Sequence, residues 1–437
     1  MTRDSYSDQV AKQSDAGMVM VDYESYQTDA GQRYAAIWEE NTSGRAWVVR
    51  TNRKEEDFAN YWREYKDKGY RIVDFERYET PSGTRYGAIW AENNPERQRY
   101  SRQGELDQAI QTYANQTSTK GISVAIIKDG QMLYRRGFGW ADQAGNRKAW
   151  GGNTYNMASI SKVVGGTLAA KLEASGRLAT GQAVDVDLTR QISRYLKNLP
   201  SNHTYTMEEL LAHLACVPYY TTNPAIDNTT AHAAMAKDAL LRFRGTGLIR
   251  GCTIGRDYNY SSAAFTFIAA ALEEATGRPI DVLVNQEIIE PYSLGTMRVQ
   301  YESMSLPDNY DRAKRYSEDG QEPGWPDTSW KVLGGGLESN PVDLARFGWK
   351  VLDGQIISPS VRDDRLWQNV GSSPEGLAWN LGTVGGRRVA QHGGQQEGAR
   401  SYLRVYRDDG LVIAAMSNQA GHNIQNLVTT LGSIVLR

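Results

Sequence analysis

The chain is poor in cysteine, histidine and phenylalanine: two, five and seven in 437 residues. Two thiols, Cys216 and Cys252, cannot make a disulfide scaffold; they form one bridge or stay as two separate buried groups. The five scattered histidines include no HExxH and no Cys/His cluster, so neither a metal site nor a cofactor is expected. Net charge is also small, −2 from 49 basic and 51 acidic side chains. Nucleic acid and anionic membrane are therefore not expected as main partners. The longest apolar runs, such as Phe265–Leu272 and Leu411–Met416, are too short to cross a bilayer. No basic segment followed by an apolar one opens the chain, so no signal peptide is visible.

Tyrosine (25) and tryptophan (11) are plentiful instead. Such amphipathic aromatics suit wet surfaces and grooves that hold extended ligands. Many of them belong to a repeat. Asp22 to Asn41 recurs as Asp74 to Asn93, an offset of 52 residues with 12 of 20 positions identical. Each copy reads as strand, glycine-containing turn (Asp29-Ala-Gly31; Pro81-Ser-Gly83), then strand. Between the copies, Phe58, Tyr61, Trp62 and Tyr65 fall at helical spacing over Lys54 to Lys68. Gly69 is the stop signal, as Gly17 stops a shorter helix before the first copy. The unit is thus a helix plus a hairpin, giving a small α/β tandem-repeat domain over residues 1–99. Two copies and a fraction fall short of the roughly three that make a solenoid self-sufficient. The module is expected to lean on itself or on the remaining chain. Asn93-Asn-Pro-Glu-Arg-Gln-Arg99 is polar and aperiodic, which places the boundary there and assigns residues 100–437 to a second domain.

In that domain a helix from about Gly104 leads into strands at Ser123–Ile127 and Gln131–Tyr134. Helical segments dominate from Ser159 to about Thr276. Strands return at Arg388–His392, Ser401–Tyr406 and Leu411–Met416, and Asn423–Arg437 closes as a helix. Helices flanking an antiparallel sheet, with a helical insert, make a mixed α+β domain. Ser159 and Lys162 stand three apart at the start of a helix and face one side, so the amine can serve the hydroxyl as base without a histidine. Serine also favours the helix N-cap, and a nucleophile there would do both. Order adds specificity: Tyr260-Ser261-Ser262 follows, then His392-Gly393-Gly394. A Ser-His-Asp triad fares worse, since there is no Gly-x-Ser-x-Gly elbow and no histidine beside a strong serine candidate.

These three elements join Thr206-Met-Glu-Glu-Leu-Leu-Ala-His213, Gly334-Gly-Gly-Leu-Glu-Ser-Asn-Pro-Val-Asp343, Gly376-Leu-Ala-Trp379 and Ser417-Asn418. Together they resemble the serine β-lactamase and penicillin-binding protein family, nearest its class C β-lactamase, D-alanyl-D-alanine carboxypeptidase and esterase branch. The resemblance implies a β-lactamase/transpeptidase-like domain with an antiparallel sheet and a helical subdomain. It implies Ser159 as nucleophile and Lys162 as a neutral amine, its pKa lowered by burial or cationic neighbours. Tyr260 would exchange protons with both or protonate the leaving group. The backbone N–H groups of Ser159 and Gln395 would form the oxyanion hole, each donor contributing roughly 3 kcal/mol. Gly393 and Gly394 would let substrate backbone approach the strand. His392 would hold a carboxylate or the tyrosine, or fill space as a polar strand residue.

Two departures matter. Ser262 stands where the family has asparagine and cannot donate an amide, which counts against β-lactam turnover. His392-Gly-Gly stands where β-lactamases often carry Lys-Thr-Gly, a form common in esterases and peptidases. Cys216 and Cys252 lie near segments that line the site in this family, and they are expected to bridge if the protein is secreted. The N-terminal repeat resembles that of the polyglycine hydrolases, which implies a secreted serine endopeptidase cutting Gly-Gly bonds in glycine-rich protein, such as plant chitinase linkers. The alternatives are a D-alanyl-D-alanine carboxypeptidase, a small-ester esterase, or a penicillin-binding module that acylates without turnover.

Overall fold

The repeat builds one plan twice, because the same residues recur at the places that fix a helix end, a turn and a strand register. The computed structural model describes residues 1–41, 45–92, 100–220, 245, 247–300, 311–323 and 328–437. They divide into two units, Met1–Gln103 with Asp142–Trp150, and Gly104–Ala141 with Gly151–Arg437. The segment Asp142–Trp150 thus packs with the repeats, although its sequence position lies in the second domain. It is held there by Asn60, which donates to Asn146 O (2.8 Å) and accepts from Lys148 N–H (3.0 Å).

In the first unit, helix α1 (Arg3–Asp15) precedes strands β1 (Met18–Thr28) and β2 (Gly31–Glu40). Strand β3 (Trp47–Arg53) and helix α2 (Glu55–Asp67) precede β4 (Tyr70–Thr80) and β5 (Gly83–Glu92). Both helices have 13 residues, so the first is not the shorter one, and both end at a left-handed glycine, Gly17 (φ 77°) and Gly69 (φ 83°). The hairpins share their register: Asp22 faces Ile37 as Asp74 faces Ile89. Strand β3, absent from the repeat's sequence pattern, pairs with β5 and completes the order β3-β5-β4, whereas β1 and β2 form a two-stranded sheet. Tyr6, Met20, Tyr23, Tyr34 and Ile89 make one core; Tyr65, Ala88 and Trp90 make another.

In the second unit, α3 (Gln103–Thr117) leads into β6 (Gly121–Lys128) and β7 (Gln131–Asp142). The helical part contains α4 (Ser161–Ser175), α5 (Met207–Leu211) and α6 (Ala264–Thr276). No α-helix occupies residues 176–206, so helix is less continuous there than the sequence suggests. Then follow α7 (Pro341–Leu352), β8 (Asn380–Val384), β9 (Arg387–Gln396), β10 (Ala399–Tyr406), β11 (Leu411–Ser417) and α8 (Ile424–Val435). The sheet runs β8-β9-β10-β11-β6-β7, antiparallel throughout, so strands from both ends of the unit meet at β11 and β6. Gly376–Trp379 is not a strand; the strand begins just after it. Helix α7 lies on one face, where Gly348 meets Val405 and Val412. Helix α8 lies on the other, where Arg404 donates to Thr429 (2.9 Å) and Tyr406 Oη sits under Gly432. This is the α+β architecture expected.

Candidate active site

Ser159 belongs to a short 3₁₀ turn, Ala158–Ile160, that runs directly into α4. It is therefore not the helix N-cap that serine chemistry suggests, since Ile160 holds that place. The turn is held from several sides. Ala158 has φ 47°, a conformation a non-glycine residue keeps only when its surroundings impose it. Its N–H donates to Asn156 Oδ1 (2.7 Å), Met157 N–H donates to Leu337 O (2.8 Å), and Ser401 Oγ donates to Met157 O (2.7 Å). The result leaves Ser159 half-buried among buried neighbours.

One turn of helix later, Lys162 is buried completely. Its Nζ is within hydrogen-bond distance of Ser159 Oγ (3.0 Å), Ser262 Oγ (2.8 Å) and Gly334 O (2.6 Å). Burial is the main cause that lowers its pKa far below the usual lysine value, and the charge of Lys331 lowers it further while Glu375 opposes. A neutral amine has two N–H bonds and one lone pair. Gly334 O can only accept, so one of the two serine hydroxyls must donate to that lone pair; with Ser159 as donor, Lys162 is placed as its base.

Tyr260 completes the cluster. Its ring lies 4.9 Å from Lys162 Nζ. Burial raises its pKa, only partly offset by the nearby Ser159 and Ser262 hydroxyls, so the phenol is protonated at neutral pH and can give a proton rather than take one. Ser262 thus lies beside Lys162. Behind Tyr260, at 4.4 Å between ring centres, is His213, the last residue of the leucine-histidine segment, whose helix already ends at Leu211. His213 Nδ1 accepts from Ser261 N–H (3.0 Å), which leaves the proton on Nε2, 3.9 Å from Glu375 Oε2.

The second wall is β9. Strand β8 accompanies it only over Arg387–Gln391, whereas β10 pairs with it as far as Gln396. Among the described residues, His392–Gln396 is therefore a free strand edge, and Gly394 lies against Met157 and Ala158. Gln395, the expected oxyanion donor, is exposed on that edge. His392 is buried; Nδ1 donates to Gly393 O (2.7 Å), and burial is the main cause that pushes its pKa down to about 3. It is a neutral imidazole whose ring centre stands 6.3 Å from that of Tyr260.

Two participants, Lys331 and Glu375, carry no motif in the sequence. Lys331, buried at the end of a 3₁₀ turn, donates to Tyr220 Oη and Gln396 Oε1, both at 3.1 Å. Burial and the neighbouring Arg315 lower its pKa to about 8. Its only signal is a lysine inside the apolar stretch just before Gly334. Glu375 is buried, accepts from Tyr258 Oη (2.7 Å), and has its pKa raised to about 7 chiefly by desolvation. A cleft of about 760 Å³ runs past Tyr219, Tyr220, Lys331, Gln395 and Gln396. Cys216 and Cys252 form a disulfide. It ties the segment after His213 to the one before Tyr260, which also bond through Asn259 N–H to His213 O (2.8 Å) and Ser261 Oγ to Pro218 O (3.0 Å). No group of three or more His, Cys, Asp or Glu able to hold a metal occurs among the described residues.

A family described as Beta-lactamase matches residues 106–427, and one described as polyglycine hydrolase-like structural repeat matches residues 1–41 and 44–93. PbpX of Bacillus subtilis (strain 168), whose name refers to penicillin binding, is 24% identical over 262 residues, 58% of this chain and 60% of that protein. The match thus spans less than two thirds of that relative. An octameric penicillin-binding protein homologue of Pyrococcus abyssi superposes with a TM-score of 0.64 and 19% identity, covering 76% of this chain and 77% of the other. A D-amino acid amidase of Ochrobactrum anthropi superposes with a TM-score of 0.62 and 19% identity, covering 76% and 99%. These superpositions establish the fold. With a family match over most of the chain, this protein belongs to the Beta-lactamase family.

Proposed function

We propose that the protein is a secreted endopeptidase that cleaves Gly-Gly bonds in glycine-rich protein linkers, plant chitinase linkers among them, through an acyl-enzyme on Ser159. The observation that carries the chemistry is the buried Lys162 amine, 3.0 Å from Ser159 Oγ, with its pKa driven far below the usual lysine value mainly by burial. Lys162 takes the Ser159 proton as Oγ attacks the carbonyl carbon. Tyr260 gives a proton to the departing amine as the C–N bond breaks, and Lys162 returns one to it. Water then attacks the ester, and its proton leaves by the same cluster. The backbone N–H groups of Ser159 and Gln395 receive the oxyanion.

Specificity for glycine rests on two supports. The first is the match of the N-terminal residues to a polyglycine hydrolase-like repeat. The second is the free edge His392–Gln396, which suits a substrate with no side chains to read, since an extended main chain pairs with a strand edge. The Cys216–Cys252 disulfide fits an oxidising, extracellular compartment. A D-amino acid amidase, carboxypeptidase or esterase is the second reading, favoured by the superposition on the Ochrobactrum enzyme. Product mass spectrometry separates the two: incubation with a glycine-rich peptide, a D-Ala-D-Ala peptide and a simple ester should yield internal Gly-Gly cleavage. Release of terminal D-alanine or ester hydrolysis alone would overturn the peptide assignment.

A further inference from the structure

Lys331 takes part in no bond-making step of the hydrolysis, yet it is a buried cation, 8% exposed. Tyr220 Oη and Gln396 Oε1 each accept one of its N–H bonds, and the rings of Tyr220 (5.3 Å) and Trp330 (5.4 Å) lie near its charge. No carboxylate pairs with it among the described residues. Burial is the main influence on its protonation, and the charged neighbour that adds to it, Arg315, is another cation. An ammonium has three N–H bonds, so one is uncommitted. A desolvated ammonium without an anion is unfavourable, and a ligand carboxylate that reaches it removes that cost.

A second donor stands beside it. Gln396 gives its Oε1 to Lys331, and its Nε2, on the same amide carbon, is buried without a hydrogen-bond partner among the described residues. Lys331 and Gln396 both line the cleft of about 760 Å³. The acidic side chains on the cleft wall are engaged elsewhere. Glu318 interacts with Arg400, Asp319 accepts from Ser317 Oγ and Gln321 N–H, and Glu397 interacts with Arg315. A Cβ built on Gly335 would stand 3.6 Å from Gln396 Oε1 and 3.7 Å from Ala158 C and O. The two donors thus sit beside the Ser159 turn, past Gln395 and at the opposite end of the strand edge from His392.

We infer that Lys331 and Gln396 form a carboxylate subsite: the bound peptide carries an anionic group that enters this part of the cleft and accepts from both. Lys331 Nζ supplies the charge and Gln396 Nε2 the second donor, so each carboxylate oxygen has a partner. The inference rests on the reading of the Ser159 cleft as a peptide-hydrolysing site, and it adds a requirement that main-chain pairing at a strand edge lacks. The carboxylate is either an acidic side chain within the peptide or the peptide's own C-terminus. A substrate with neither leaves Lys331 only its effect on Lys162.

The test is calorimetric titration of the full chain carrying Ser159→Ala, which binds without turnover. The probes are acetyl-tetraglycine as free acid, its C-terminal amide, and that amide with aspartate in the third position. A D-Ala-D-Ala peptide, as acid and as amide, repeats the comparison for the second reading of the function. At neutral pH a carboxylate-bearing probe should bind at least about tenfold more tightly than its amide. The gain should fade as pH rises past about 8, where Lys331 loses its proton. Lys331→Met should abolish the preference, and so should Gln396→Glu, which sets the chain's own carboxylate on the lysine. A gain for the aspartate probe puts the subsite along an extended chain, a gain for the free acid puts it at a chain end, and either supports the inference. A preference confined to the D-Ala-D-Ala pair would keep the subsite and overturn Gly-Gly cleavage. Equal binding of acid and amide throughout, or a preference that survives Lys331→Met, would overturn the subsite.

Discussion

Gly394 lies directly against Ala158, the residue before the nucleophile. A Cβ built on Gly394 would stand 3.2 Å from Ala158 Cβ, 2.4 Å from Met157 O and 2.1 Å from Ser401 Oγ. Backbone atoms cannot yield as a flexible side chain can, so strand β9 and the Ser159 turn form one close-packed element. Gly394→Ala should push them apart and misalign Ser159 with the strand edge. The expected result is a fall in kcat on the order of 100-fold with a smaller change in KM. Kinetics within about threefold of the parent would show that this approach is not needed.

Lys331 acts on Lys162 through charge. Its ammonium disfavours protonation of Lys162, and so helps keep the base neutral. Replacing it by glutamine removes a positive neighbour, which raises the Lys162 pKa. The acid limb of kcat/KM reports deprotonation of that base in the free enzyme. It should therefore move to higher pH in Lys331→Gln and stay near the parent position in Lys331→Arg. A fall in activity with an unmoved acid limb would assign Lys331 a packing role only.

Glu375 carries an opposite pH signature. Its pKa is raised from 4.5 to about 7, mainly by desolvation. The folded chain thus binds this proton more tightly than the unfolded chain. That stabilisation is complete below about pH 4.5 and is lost as pH rises through about 7. A shift of this size corresponds to on the order of 3 kcal/mol. Glu375→Gln keeps an acceptor for Tyr258 but removes the titration. Thermal unfolding across this range should show a flatter dependence in the variant and higher stability than the parent above neutral pH. Identical slopes would contradict the assignment.

The disulfide closes a separation of 36 residues around the His213–Tyr260 contact. A loop of that length corresponds to roughly 3–4 kcal/mol. Replacing Cys216 and Cys252 by serine should lower stability by about that amount in denaturant titration. It should also reduce kcat, because Tyr260 is carried on the tethered segment. Full stability in the double variant would remove the bridge from the account.

Much of this was legible in the chain. Ser159 and Lys162 are three apart on a local element, so spacing alone brings them together, and the duplicated tyrosines and glycines fix the hairpins of the repeat. What escaped has no local periodicity. Strand β3 is a short unrepeated run whose identity depends on the β5 edge beside it. Lys331 and Glu375 reach the site from distant points in the sequence that no motif records, and burial is the main cause of their altered protonation. Ser159 looked like a helix cap because cap preference is local, whereas its 3₁₀ turn is imposed by contacts with Leu337 and Ser401.

The central claim is that Ser159, served by an uncharged Lys162, carries the acyl group. Rapid quenching during turnover of a glycine-rich peptide, followed by digestion and mass mapping, tests it most directly. The account predicts an acyl adduct on the peptide containing Ser159, absent in Ser159→Ala and reduced by about 10²–10⁴-fold in formation rate in Lys162→Ala. An adduct on another residue, or undiminished turnover by Ser159→Ala, would contradict it.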